Sequence, residues 1–355
     1  MPILTFFENA YTLGKTAYYL FQSAEIILKM NKYVVMGFTL YGVWRVFKNF
    51  IYFPLKEVFL FLYQNTRPLS NLIYTYGEGK IIITGATRGL GPAYCESLIK
   101  AGFRDFLLID YDYKDLQSLQ TQLQEYQLKL IEIKKKQKQN IQTKNEKLLI
   151  ELFGFNFNQE DNSEQIRELG AIINRQDNND NKQKNISILI NNNNKIMKTP
   201  FQQSGDKGIN KLINNNIKSV TSILNLVLEQ MIKQKSKCAI VNVSSATAAA
   251  EISSIEKFTI NDYQVYQASL AYQCSLMNLL QSQYKEIDFL NDMPYTFDIS
   301  DKNIKDLGMK VLPEAHVELV LKSLGKQQIC NGTLRHRFWL YMMKNYNFPF
   351  QPALR

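Results

Sequence analysis

The segment TGATRGLG (Thr84 to Gly91) has the glycine spacing of a loop that cradles phosphates with its backbone. It follows KIIIT (Lys80 to Thr84), an apolar run of strand type, and leads into a stretch of helical character. In such a loop Gly85 permits the tight turn, Gly89 lets the main chain approach a pyrophosphate, and Gly91 lets the next helix pack close to the sheet. Thr87, Arg88 and Leu90 complete it, and amides at the helix N-terminus face the phosphates. A glycine-rich loop alone is weak evidence, but a preceding strand, a following helix and an acid ending the next strand make it strong. Asp110 is that acid. It closes DFLLID (Asp105 to Asp110), placed to accept from both ribose hydroxyls of an adenosine and to repel a 2′-phosphate. Arg88 acts in the opposite sense, since a cation there holds such a phosphate. The balance favours NAD(H) over NADP(H), and the bland alternative is an ordinary buried turn beside a solvated Asp.

The elements that must position this loop are legible around it. From Lys80 onward strands and helices alternate, which predicts a doubly wound α/β domain with a parallel sheet. The first helix is expected to open at Gly89 and run to about Ala101. A long helical stretch follows the second strand to about Lys147, and its KKKQKQN run (Lys134 to Asn140) reads as a solvated face rather than a surface for an acidic partner. LLIELFGFN (Leu148 to Asn156) holds a third strand, ISILIN (Ile186 to Asn191) a fourth and CAIVNVSS (Cys238 to Ser245) a fifth. The polar run Asn174 to Asn185 between the third and fourth is a low-complexity loop. Ile217, Val220, Ile223, Leu224, Val227, Leu228 and Met231 recur at helical spacing, and residues 262–285 form another helix.

The first 75 residues differ in character, with YVVMGFTLYGVW (Tyr33 to Trp44), FIYFP (Phe50 to Pro54) and VFLFLY (Val58 to Tyr63). The uncharged run ends at Arg45, short of the roughly 20 apolar residues a bilayer span requires. An interfacial helix or hairpin with snorkelling basic residues fits better, beside the alternative of an arm packed on the domain or a partner. Residues 1–32 match neither an Arg-rich transit peptide nor a signal peptide. The expected division is thus an apolar helical arm (1–75), an α/β domain (76–330) and a C-terminal tail (331–355). The net charge of +10 suits an anionic surface, while the lack of interleaved aromatic and basic residues argues against nucleic acid. Cys95, Cys238, Cys274 and Cys330 form no CxxC pair and His316 and His336 are the only histidines, so no metal site is expected.

TGxxxGxG, then LINNNN (Leu189 to Asn194), NVSS (Asn242 to Ser245) and YQASL (Tyr266 to Leu270) together resemble the short-chain dehydrogenases/reductases, which have a Rossmann-like fold. YGEGKIIITGATRGLGPAY, MPYTF at Met293 and LPEAHVELVLKSLGKQQICNGTLRHRF resemble the branch of very-long-chain 3-oxoacyl-CoA reductases and 17β-hydroxysteroid dehydrogenases. The resemblance implies Ser245 as the group orienting a substrate carbonyl, Tyr266 as the proton donor or acceptor, and Asn216 as the residue keeping a water that serves the catalytic lysine. It also implies Asn192 at the cofactor and Asn156 in place of an adenine-contacting Asp. The lysine itself is replaced by Leu270, which carries no charge. A free Tyr has a pKa of about 10, and poising it near neutrality needs a cation nearby.

Other departures accumulate. The family's Asn-Asn-Ala-Gly becomes Asn191-Asn192-Asn193-Asn194, and the Gly three residues after the catalytic Ser is Ala248. Between Ser245 and Tyr266 lie 20 residues, longer than the family's usual spacing, with Lys257 as the nearest substitute cation. The expectation is a pseudoenzyme serving as a structural subunit or scaffold at a membrane surface or in a membrane protein complex. Its dinucleotide is bound as a fixed element or the site is empty, and the homo-oligomeric state is left open. The rival is an active NAD(P)-dependent reductase of 3-oxoacyl-CoA or steroid-like ketones. The ending QPALR, unlike a lysine-rich retrieval tail, tips localisation toward the mitochondrion over the endoplasmic reticulum.

Overall fold

The computed structural model describes residues 32–136, 147–175, 184–249, 263–294 and 311–345. The insertion at 250–262 with Lys257, residues 176–183 of the Asn-rich loop and the polar run beyond Lys136 lie outside them. The chain divides into two units, Met1–Val58 and Phe59–Arg355.

The described part of the first unit is helix α1 (Lys32–Phe47), a π-helical turn (Lys48–Tyr52) and the beginning of α2 (Phe53–Asn65). Its aromatic and aliphatic residues stand in solvent, among them Tyr33, Phe38, Trp44 and Phe50. Among the described residues no helix is long and apolar enough to cross a membrane.

Among the described residues of the second unit seven strands form one sheet in the order β3-β2-β1-β4-β5-β6-β7, every neighbouring pair parallel. The strands are β1 (Lys80–Thr84), β2 (Asp105–Asp110), β3 (Leu149–Gly154), β4 (Ile186–Asn191), β5 (Cys238–Val243), β6 (Ile287–Asp292) and β7 (Ile329–Cys330). Central strands β1, β4 and β5 are buried along their whole length. Helices cover both faces, so their sequences run apolar without alternation. Successive residues still point to opposite faces. Ile81 and Ile83 join one core with Phe106, Tyr94 and Leu98, while Ile82 joins the other with Leu107, Leu189 and Val227. Each fully buried Ile or Leu contributes roughly 1.5–3 kcal/mol.

The helices are α3 (Asn71–Tyr76), α4 (Gly91–Ala101), α5 (Tyr113–Lys136), α6 (Ser163–Ile173), α7 (Gly205–Ile213), α8 (Val220–Lys233), α9 (Gln264–Gln283), α10 (Pro313–Ser323) and α11 (Leu334–Asn345). Helix α4 starts at Gly91, two residues later than the sequence suggests, because Gly89 sits at φ +58° and still belongs to the turn. Between α7 and α8 the chain forms a π-helical segment, Asn214–Ser219, so Ile217 is only half-buried while the rest of its predicted stripe is buried.

The expected limits of the domain are too narrow at both ends. Leu69, Leu72 and Tyr76 join the core, and Gln64 is fully buried. The Gln64 amide donates to the Gly332 carbonyl at 3.1 Å and accepts from Ser323 Oγ at 3.0 Å and Arg337 at 2.9 Å. Residues 59–76 therefore belong to the α/β unit rather than to an arm. The same bonds tie α11, with His336 and Arg337 buried, into the fold, so residues 331–345 are no tail.

At the C-terminal ends of the strands a row of amides crosses the sheet. Thr84 Oγ1 donates to Asn191 Oδ1 at 3.0 Å, and Asn191 Nδ2 donates to Asn242 Oδ1 at 3.0 Å. Asn242 Nδ2 donates to Asn291 Oδ1 at 3.2 Å, and Asn291 Nδ2 to Asn278 Oδ1 at 3.2 Å. Beside this row, fully buried Asp292 accepts from Tyr94 OH and contacts His316 Nε2, each at 2.7 Å.

Candidate functional site

The crevice of an open parallel sheet lies outside the carboxyl ends of its strands, where the order reverses. Here that point falls between β1 and β4. The glycine loop leaves β1 directly above it. Gly85 has φ +61°, and a Cβ there would lie 2.8 Å from the Asn192 carbonyl oxygen. At Gly91 a Cβ would lie 2.4 Å from the Ala86 carbonyl oxygen, so only glycine lets α4 begin so close to the turn. At Gly89 the surroundings are open, with nothing nearer than Asn192 Oδ1 at 3.9 Å, and this is the face available to a phosphate.

Asp110 is only 3% exposed. Its Oδ2 accepts from the Thr87 amide at 2.9 Å and Thr87 Oγ1 at 2.6 Å, and its Oδ1 accepts from the Tyr111 amide at 2.7 Å. The carboxylate therefore braces the glycine loop from below. Three of its roughly four acceptor directions are filled, leaving one for a ribose hydroxyl. Asn192 braces the loop from the other side, its Nδ2 donating to the Gly85 carbonyl at 2.8 Å and the Arg88 carbonyl at 2.9 Å. Leu90 is buried, whereas Arg88 points to solvent.

After β3, Asn156 shapes a turn. Its Oδ1 accepts from the Asn158 amide at 3.2 Å and its own amide donates to Gln165 Oε1 at 3.2 Å. Lys195 Nζ donates to Asn158 Oδ1 at 3.0 Å, bringing a cation that the sequence reading did not single out toward this end. Partial burial, together with the neighbouring Lys211 and Arg88 charges, holds the Lys195 ammonium below the usual lysine range.

The other end of the crevice differs. Helix α9 packs on the 3-10 turn Ala246–Ala249 that follows Ser245, which puts Tyr266 and the Ser245 strand end on adjoining elements. Leu270 is fully buried. Burial, with a smaller contribution from Tyr263, pushes the Tyr266 phenol up to about 12, the direction opposite to that a proton-transferring tyrosine needs. Asn216 is fully buried and its amide is filled by protein. Its Oδ1 accepts from the Lys195 amide at 2.8 Å, and its Nδ2 donates to the Lys195 carbonyl and to Ser269 Oγ, both at 3.0 Å. Asn194 Nδ2 donates to the Val243 carbonyl at the end of β5, and its Oδ1 accepts from Gln273 Nε2 at 3.0 Å. Gln273 Nε2 also reaches the Asn216 carbonyl at 2.7 Å. Asn193 is tied to Asn215 at 3.0 Å.

Thus the loop, Asp110, Asn192 and the Asn156 turn meet at one end, and Ser245, Tyr266, Asn216 and Leu270 gather at the other. The residues fit the adenosine and pyrophosphate half of a dinucleotide. They do not fit the nicotinamide half, where Asn194 and Gln273 bridge β4, β5 and α9. Gln273 lies one turn beyond Leu270 on α9, and only the paired neighbour Asn194 could have hinted at its role. Among the described residues no cluster of His, Cys, Asp and Glu could hold a metal, and the four cysteines are free and buried.

A short chain dehydrogenase family model matches residues 166–290. The chain is 27% identical over 271 residues to a very-long-chain 3-oxoacyl-CoA reductase of Anas platyrhynchos, covering 73% of this chain and 74% of that one. The Homo sapiens reductase of the same name is 24% identical over 264 residues, covering 72% and 71%. Among solved structures, a 7β-hydroxysteroid dehydrogenase superposes with a TM-score of 0.61 at 16% identity, over 78% of this chain and 95% of that one. A short chain dehydrogenase from Shigella flexneri gives 0.57 at 14% identity, over 75% and 94%. The shared fold is one that binds NAD(P)(H). Sheet order, glycine loop, family match and reductase relatives agree: this chain is similar to the short-chain dehydrogenases and has their fold.

Proposed function

We propose that this protein is a member of its family released from reductase catalysis, retained as a structural subunit at a membrane surface or in a membrane-bound complex. The observation that carries the reading is the state of the catalytic end. Leu270 is fully buried where the family has its lysine, and the Tyr266 phenol is pushed up to about 12 instead of down. Bringing a tyrosine from 12 to near 7 is a difference of about 7 kcal/mol at 1.36 kcal/mol per unit. Leu270 has no polar group to contribute to that shift. The exposed aromatic surface of α1 supports the membrane-facing part of the reading. Mitochondrial placement rests on the sequence reading alone.

The test is NADH and NADPH oxidation by the full-length protein with a long-chain 3-oxoacyl-CoA and a steroid ketone. No turnover above background is expected, and sustained turnover with either cofactor overturns the reading. A second reading, an active reductase of 3-oxoacyl-CoA, is favoured by the names of the relatives and is what a positive assay would establish.

A further inference from the structure

The two ends of the crevice have diverged, and the divergence defines a ligand. We propose that the site takes an adenine nucleotide ending in free phosphates, of the ADP type, in preference to a complete nicotinamide dinucleotide. This rests on the reading that reductase catalysis is lost and adds what the surviving half of the site binds.

Three observations carry it. The phosphate face is intact, since Gly89 keeps its positive φ and an open flank, and Asp110 locks Thr87 in place through two bonds. A ligand meeting this loop finds preorganised amides and need not reorder it.

The nicotinamide face is closed by protein. In a doubly wound sheet the dinucleotide runs from the first mononucleotide-binding half across the switch point to the second, here over the ends of β4 and β5. On that path Asn194 joins the Val243 carbonyl to Gln273, and Gln273 joins Asn194 to the Asn216 carbonyl. Gln273 and Asn216 are 2% and 0% exposed, so admitting a ring there means breaking buried amide bonds that a carboxamide cannot replace one for one. Leu270 offers a nicotinamide ribose no hydrogen bond.

The charge at the open end suits a compact polyanion. Lys195 reaches the turn after β3 through Asn158, with Lys211 and Arg88 as its neighbours. Partial burial and these two neighbours disfavour the Lys195 ammonium, and a ligand bearing two or three negative charges offsets that penalty. A dinucleotide carries its pyrophosphate charge between two nucleosides, whereas ADP presents a free terminal phosphate.

Calorimetric titration of the full-length protein with ADP and with NADH decides the matter. ADP is expected to bind at least as tightly as NADH. Arg88→Gln combined with Lys195→Gln is expected to weaken ADP by about tenfold or more, at roughly a factor of ten per 1.4 kcal/mol. Circular dichroism checks that this double variant stays folded, and Arg88→Gln alone, on an exposed residue, is the fallback, with about a threefold loss expected. NADH binding tighter than ADP would overturn the inference, as would a folded protein that ignores ADP at millimolar concentration. If NADH is also consumed with a 3-oxoacyl-CoA, the proposed loss of catalysis falls. If NADH binds tighter without turnover, only the ligand assignment falls.

Discussion

The side chain of Asn216 holds both polar groups of the Lys195 backbone, accepting from its amide at 2.8 Å and donating to its carbonyl at 3.0 Å. An asparagine whose position in the family serves a water here serves as a clamp on the chain leaving β4. Asn216→Ala should destabilise the protein by about 2–4 kcal/mol, since it orphans buried partners on Lys195 and Ser269. Urea unfolding measures it. A loss well under about 1 kcal/mol would mean that the clamp is not structural.

Leu270→Lys should not create a reductase. The new ammonium would enter a fully buried site packed for a hydrocarbon, while Asn194 and Gln273 still bridge the nicotinamide path. A drop in stability of about 2–4 kcal/mol is expected from an uncompensated buried charge, together with no NADH oxidation. Strong turnover in the variant alone would show that the rest of the site remained competent.

Tyr266 should resist ionisation. In a spectroscopic alkaline titration, the difference between wild type and Tyr266→Phe should show a phenol ionising at about 12, well above the ordinary tyrosine range. The sign follows from burial, which penalises the phenolate and leaves the neutral phenol in place throughout the neutral range. A midpoint below about 9 would reveal a neighbouring cation and revive the reductase reading.

Deleting residues 1–58 should release the protein from vesicles containing anionic lipid while leaving the α/β unit folded. The cut belongs at Val58 and not at residue 75, because Gln64, Leu69, Leu72 and Tyr76 are buried in that unit. Co-sedimentation and circular dichroism read the two halves of the expectation. Undiminished pelleting of the truncated protein would place the membrane contact elsewhere.

The first five strands were legible because each is a short apolar run bounded by polar or turn residues, and β1, β2 and β4 lie where the sequence placed them, whereas β6 and β7 were not expected. The glycine loop was legible because its backbone demands cannot be met by other residue types. The π-helical segment at Asn214–Ser219 was not, since apolar spacing alone does not separate one helical period from another over so few residues. Nor was the second role of Asp110. A carboxylate at the end of a strand looks the same in sequence whether it faces a ribose or the amide of Thr87. Gln273 and Lys195 escaped notice because their partners are distant in the chain. Gln64 escaped because a polar residue in an apolar stretch reads as exposed, whereas here it bonds Gly332, Ser323 and Arg337.

The amide row from Thr84 through Asn191 and Asn242 to Asn291 also bears on how the sheet comes to be aligned. Parallel strands have no hairpin turn to set their offset, and β4, β5 and β6 each arrive from a long crossover. Their apolar runs are similar enough to slide past one another. Thr84, Asn191, Asn242 and Asn291 are register partners, each opposite the next. Were β5 to slip by one residue, Val241 or Val243 would stand opposite Asn191 and Asn291, which would lose their bonds to β5 inside a dry interior. The row thus works as a notch that admits only one alignment of four strands, at the same edge where the nucleotide loop must be seated.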